Sequence, residues 1–122
     1  MQDLEYVQLI ARTMCDKKGV DIVALDVSKL TVVCDYMVIC TGRNALLTQA
    51  IAREVDDRLA EAGLALRRSE GRNEGRWIVL DYGHIIVHVF HTEERAYYNL
   101  ERLWEDGTNR LPLSLDDDGP QA

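Results

Sequence analysis

No run of about 18 apolar residues occurs in this chain, so no membrane-spanning helix is read from it. The start, Met1-Gln2-Asp3-Leu4-Glu5, lacks the basic stretch and apolar centre of a secretory signal, and a cytoplasmic protein is expected. Cysteine is scarce. Cys15, Cys34 and Cys40 are odd in number and none stands in Cys-x-x-Cys, which argues against a disulfide framework and against a zinc site. Clusters of Lys and Arg are missing too. At a formal charge of −7, sequence-independent nucleic-acid binding is not the expected main activity, because neutralising phosphates requires grouped cations. Nor is there a catalytic set: Ser28, Ser69 and Ser114 have no Gly-x-Ser-x-Gly around them. Thr41-Gly42-Arg43-Asn44 is the one stretch placed to hold a phosphate, and it has a single glycine without Gly-x-Gly-x-x-Gly or Gly-Lys-Ser/Thr.

What is present suits one domain of ordinary size. At 122 residues the chain can bury a core without disulfides or metal. Leu4, Val7, Ala11 and Met14 recur at helical spacing over residues 3–18, with Gly19 placed to stop that helix. Residues 21–27 and 36–41 are short and rich in Val, Ile and other apolar residues, as strands are. Asn44 is positioned to cap a helix running to about residue 62, with Leu47, Ile51, Val55 and Leu59 as its buried stripe and Gly63 as its stop. A third strand is expected over residues 65–70. Thr92, followed by Glu93 and Glu94, reads as another helix start, with Tyr97, Leu100 and Trp104 as its apolar stripe. The fold class that follows is α+β: a mixed five-stranded sheet with helices packed on it, in which residues 36–70 form a strand-helix-strand crossover. From residue 106 onward the chain is acidic and aperiodic, so residues 1–105 are taken as the domain and 106–122 as a disordered tail. Glu105, Asp106, Asp116, Asp117 and Asp118 face only Arg110 there.

The stretch from Gly75 to Phe90 carries the most information. With Tyr82-Gly83 as a two-residue turn, Asp81 is expected opposite His84, Val79 opposite Ile86 and Trp77 opposite His88. Ile78, Leu80, Ile85, Val87 and Val89 then share the other face, which is purely aliphatic. The mixed face holds an aromatic, two aliphatics, two histidines and a carboxylate, a composition suited to contacting another protein. Two readings of Trp77 stay open. It is either core, covered by the last helix, or an interface anchor within a polar rim. The histidines do not converge on a metal: His84 and His88 are about 13 Å apart along a strand at about 3.3 Å per residue, and His91 points to the opposite face. Asp56 and Asp57, adjacent on a helix, diverge and are read as solvated charges.

These motifs resemble a known family, the ribosomal silencing factors, also called Iojap-like proteins. The resemblance is carried by Asp21-Ile-Val-Ala-Leu-Asp-Val27, Asp35-Tyr-Met-Val-Ile-Cys-Thr-Gly42, Gln49-Ala-Ile-Ala52, Trp77-Ile-Val-Leu-Asp-Tyr-Gly83 and Val87-His-Val-Phe90. Arg95 and the Tyr98, Leu100-Glu101, Leu103-Trp104 pattern complete it. It implies a nucleotidyltransferase-like fold without the catalytic residues and without a cofactor. It also implies binding to ribosomal protein L-fourteen of the large subunit, so that the small subunit is kept from joining when nutrients are scarce, and homodimers among free copies. The contact residues expected on this basis and from the hairpin are Glu70, Trp77, Val79, Asp81, His88, Tyr98 and Glu101. Two departures stand out: His84 replaces the aspartate more usual after that glycine, and Arg43-Asn44-Ala45-Leu46 replaces a small, Ser-rich turn. The alternatives are a nucleotide-dependent transferase using residues 41–44, or a dimeric adaptor with an unrelated partner.

Overall fold

The computed structural model describes residues 2–115. It is an α+β domain with a five-stranded mixed sheet. In chain order the elements are α1 (Asp3–Asp16), β1 (Val20–Asp26), β2 (Tyr36–Gly42), α2 (Ala45–Glu61), β3 (Arg68–Glu70), β4 (Trp77–Asp81), β5 (Ile85–His91), α3 (Thr92–Tyr98) and α4 (Leu100–Trp104). The sheet order is β1-β2-β5-β4-β3. β2 runs parallel to β5, and every other neighbouring pair is antiparallel.

Each helix has a local reason to begin and end where it does. Asn44 accepts a hydrogen bond from the Leu47 amide (2.8 Å) and starts α2, as its side chain predicts. Gly63, at φ +95°, closes α2, with the Leu64 amide donating to the Leu59 carbonyl (2.9 Å). At the end of α1 the left-handed position falls on Lys18 (φ +72°) and not on Gly19. Gly19 follows it because a Cβ there would meet the Met14 carbonyl at 2.9 Å. α1 and α2 lie on one face, where Val7, Ile10, Met14, Ile51, Val55 and Leu59 pack on Val38, Ile78, Leu80, Ile85, Val87 and Val89. Leu4, expected in that stripe, is exposed at the first turn, beyond the reach of the sheet.

Several expectations need correction. The hairpin turn is Gly83-His84, one residue later than expected, so Asp81 pairs with Ile86, Val79 with His88 and Trp77 with Phe90. Gly83 takes the left-handed φ of +92°, and its amide donates to the Asp81 carboxylate (2.8 Å). Tyr82 is thereby kept out of the turn. Its ring is buried and its hydroxyl donates to Asp56 (3.1 Å), which also receives Arg72 (3.2 Å), so Asp56 is not a solvated charge. The crossover from β2 through α2 leads to β3 at the far edge of the sheet, and the hairpin fills the two places between them. The cap of α3 is His91, whose Nδ1 accepts from the Glu93 amide (3.3 Å), instead of Thr92. Asn99, at φ +46°, breaks the last helix into α3 and α4, which leaves Tyr97 exposed while Leu100 is buried.

The tail also departs from expectation. Residues 109–115 lie along the open edge of β1: the Asp26 amide donates to the Asn109 carbonyl (2.9 Å) and the Leu111 amide to the Ala24 carbonyl (2.8 Å). Leu111, Leu113 and Leu115 continue over the first core, and Gln8 and Arg12 bind the Ser114 carbonyl. Unpaired strand groups at the edge and alternating leucines explain why residues 109–115 are fixed. Asp116, Asp117 and Asp118 lie outside the described residues.

Candidate functional site

The second face of the sheet has no long helix over it. Val23, Leu25, Met37, Ile39 and Phe90 form a smaller core there, closed by Val27 and Cys34 from the β1–β2 connection and by Leu100 of α4. Trp77, Ile86 and Trp104 complete its margin, half-buried. Around that margin several large apolar side chains reach solvent: Tyr97 (82% exposed), Tyr98 (48%), Leu103, Val33 and the fully exposed Val32. Exposed apolar side chains of this size are the kind of feature that interaction surfaces present.

The aromatic residues are stacked in depth. Phe90 is buried and Trp77 lies on it (ring centroids 4.9 Å apart). Tyr98 lies on Trp77 (4.7 Å), and Tyr97 meets Tyr98 edge-on (5.0 Å). The core reading of Trp77 therefore holds in part, since the ring is half-buried against the second core and leaves its other side to the surface. Its Nε1–H donates to Nδ1 of His88 (3.1 Å). His88 is only 7% exposed, so this expected contact residue lies behind Trp77 and not on the surface. Burial pushes the His88 pKa down to about 4, which keeps the imidazole neutral at physiological pH. Its Nε2 has no hydrogen-bond partner among the described residues.

The remaining predicted residues border this stack. Val79 and Asp81 are half-buried on β4, while Glu70 is exposed on the edge strand β3. Together with Val33, Arg68, Ser69 and Ile86 they line one shallow groove. The Asp81 carboxylate is partly occupied by Arg68 (3.6 Å) and by the hairpin turn. Glu101 sits on the far side, at α4, bound by the guanidinium of Arg95 (Nε to Oε2, 3.0 Å). Burial pushes the Glu101 carboxyl up, but the Arg95 hydrogen bond and charge prevail and hold it below its ordinary value. Sequence reasoning missed Arg95 as an organiser. Besides Glu101 it reaches the Thr41 hydroxyl (2.8 Å) and the Asp21 carbonyl (2.9 Å), tying α3 and α4 to β1 and β2. No spacing signals this, because the helix break at Asn99 separates the pair.

The turn at residues 41–44 is filled. A Cβ on Gly42 would meet Thr48 at 2.8 Å, the Thr41 hydroxyl is taken by Arg95, and the Asn44 side chain occupies the Leu47 amide. His84 stands exposed at the hairpin tip beside Asp3 (3.3 Å), far from a role with His88. Cys34 and Cys40 are buried, and burial raises their thiols to about 11 and about 12, so both remain protonated.

Fold and face together define a small α+β domain with one sheet face sealed by helices and the other left open as an aromatic-centred surface. A family model described as ribosomal silencing factor during starvation matches residues 1–121. The ribosomal silencing factor RsfS of Bacillus subtilis is 43% identical over 106 residues, which span 87% of this chain and 90% of that protein. A crystal structure of a Chromobacterium violaceum protein superimposes with a TM-score of 0.83 at 38% identity, covering 85% of this chain and 87% of that one. One from Bacillus halodurans gives 0.80 at 39% identity, covering 91% and 100%. The chain belongs to the ribosomal silencing factor family.

Proposed function

We propose that this protein is a non-enzymatic repressor of translation that acts by occupying the large ribosomal subunit. In this reading it docks on ribosomal protein L-fourteen through the open sheet face and keeps the small subunit from joining, chiefly under nutrient limitation. The observation that carries the proposal is the aromatic stack on the open face, an anchor of Trp77 and Tyr98 with Val79 beside it. Glu70, Asp81 and Glu101 form the acidic border suited to a basic ribosomal protein. His88 supports Trp77 from behind. The protein works in the cytoplasm, where ribosomes are, and free copies pair as homodimers.

The test is sedimentation with purified ribosomal subunits, followed by cross-linking. Comigration with the large but not the small subunit, with cross-links from the β4 region to L-fourteen, is the expected result. Failure to comigrate overturns the proposal, and cross-links confined to other proteins overturn the choice of partner. A saturable shift in melting temperature with ATP or GTP that disappears on altering Arg43 or Asn44 would instead favour a nucleotide-dependent transferase.

A further inference from the structure

We infer that His88 is a positioning residue, which fixes the Trp77 indole with its N–H turned inward so that a docking partner meets only the hydrocarbon edge of the ring. The inference rests on the proposed docking face. A tryptophan at an interface ordinarily offers two things, a large apolar ring and one polar N–H that finds an acceptor on the partner. Here the second is already used. Nε1–H of Trp77 donates to Nδ1 of His88 at 3.1 Å, across strands β4 and β5. Nδ1 can accept only through its lone pair, so the proton of the neutral ring is on Nε2.

The acceptor is itself immobile. His88 is 7% exposed, its ring is stacked with Phe90 (centroids 6.1 Å, planes 15° apart), and its strand is an inner one, with Ile39 paired on one side and Val79 on the other. Phe90 beneath the indole and Tyr98 above it fix the plane of Trp77, while His88 fixes its rotation within that plane. A histidine at this place is otherwise hard to account for. Burying an imidazole with Nε2–H unpaired costs free energy that an aliphatic residue would not, and among the described residues the indole contact is the one hydrogen bond the ring makes. The consequence is specificity. The partner position facing Trp77 must be apolar, and an acceptor placed there would be buried without a donor.

The experiment uses the 15N-labelled full chain, in which Trp77 and Trp104 give two indole N–H signals that Trp104→Phe assigns. Exchange of the Trp77 indole proton is expected to be slow, to accelerate at least about tenfold in His88→Met, and to be partly restored in His88→Gln, which keeps an acceptor. Large-subunit binding, measured by sedimentation, should weaken about tenfold in His88→Met at unchanged melting temperature and recover in His88→Gln. Indole exchange that is fast in the unaltered protein, or unaffected by His88→Met, overturns the positioning role without reference to ribosomes. Exchange that responds while binding does not, with Trp77→Ala still unable to bind, overturns the specificity claim alone. If Trp77→Ala binds normally, the docking face itself is wrong and the specificity claim falls with it, whatever the exchange shows.

Discussion

Lowering the pH from 7 to 4 is expected to destabilise this protein through one imidazole. In the unfolded chain His88 takes a proton near the ordinary 6.5, whereas burial in the folded protein holds its pKa down to about 4. Between those values the unfolded state binds more protons than the folded one, so stability rises with pH across the window. The contribution is therefore complete above about 6.5 and is lost as the pH falls through the folded value near 4. A gap of this size is worth about 3 kcal/mol, against a total of about 5–15 kcal/mol for a domain of this kind. Urea unfolding followed by circular dichroism, at half-unit steps from pH 7 to pH 4, measures it. The same series on His88→Met supplies the reference, because every other ionisable group is common to both proteins. The unaltered protein should lose about 3 kcal/mol more than the variant over that interval. Parallel curves would refute the argument, since they would mean that His88 charges within the folded state without penalty and is not sealed behind Trp77.

Trp77→Ala removes a half-buried ring from Phe90 and leaves Nδ1 of His88 unpaired, so it should cost about 2–3 kcal/mol of stability in urea as well as about 2 kcal/mol or more of large-subunit binding. Binding retained by the folded variant would contradict the anchor. Asp81→Lys loses the acceptor for the Gly83 amide, worth about 1 kcal/mol, and should slow association with the large subunit at low salt, the difference fading as the screening length shrinks to about 3 Å at 1 M. Equal association rates at both salt concentrations would show that the acidic border is misplaced. Gly71→Ala would put a Cβ 2.0 Å from the Trp77 carbonyl at a φ of +84°, and a loss of more than about 3 kcal/mol in chemical unfolding is expected. A chain ending at Asp106 loses the strand-edge bonds of residues 109–111 and the leucines that follow, and it should melt several degrees lower.

Much of the architecture was legible because it is periodic. The α2 stripe, its Asn44 cap and its Gly63 stop follow from spacing that no tertiary contact overrides. The hairpin faces were correct although the turn was misplaced, because moving the turn by one residue shifts the pairing by two, and side chains alternate with a period of two. The exact turn was not legible from Tyr82-Gly83-His84, since what excludes Tyr82 is its hydroxyl bond to Asp56 on a different element. The same holds for the site. Trp77, Val79 and Asp81 could be grouped from alternation, but the depth of His88 depends on Ile39 and Phe90 around it. The Arg95 network and the docked residues 109–115 join segments distant in sequence and carry no local signature.

The place of β5 in the sheet has a bearing on when this surface comes into being. β5 is the parallel partner of β2, and Ile85 pairs with Tyr36, a residue made 49 positions earlier. Until β5 has left the ribosome that synthesises it, β2 has one neighbour only, and Trp77 has neither Phe90 to lie on nor His88 to hold it. Pairings of such long range form late in folding. Tyr98 and α4 come later still in the chain. A growing copy thus lacks the assembled aromatic face until β5 has emerged, and the proposed docking surface belongs only to chains whose synthesis is nearly complete.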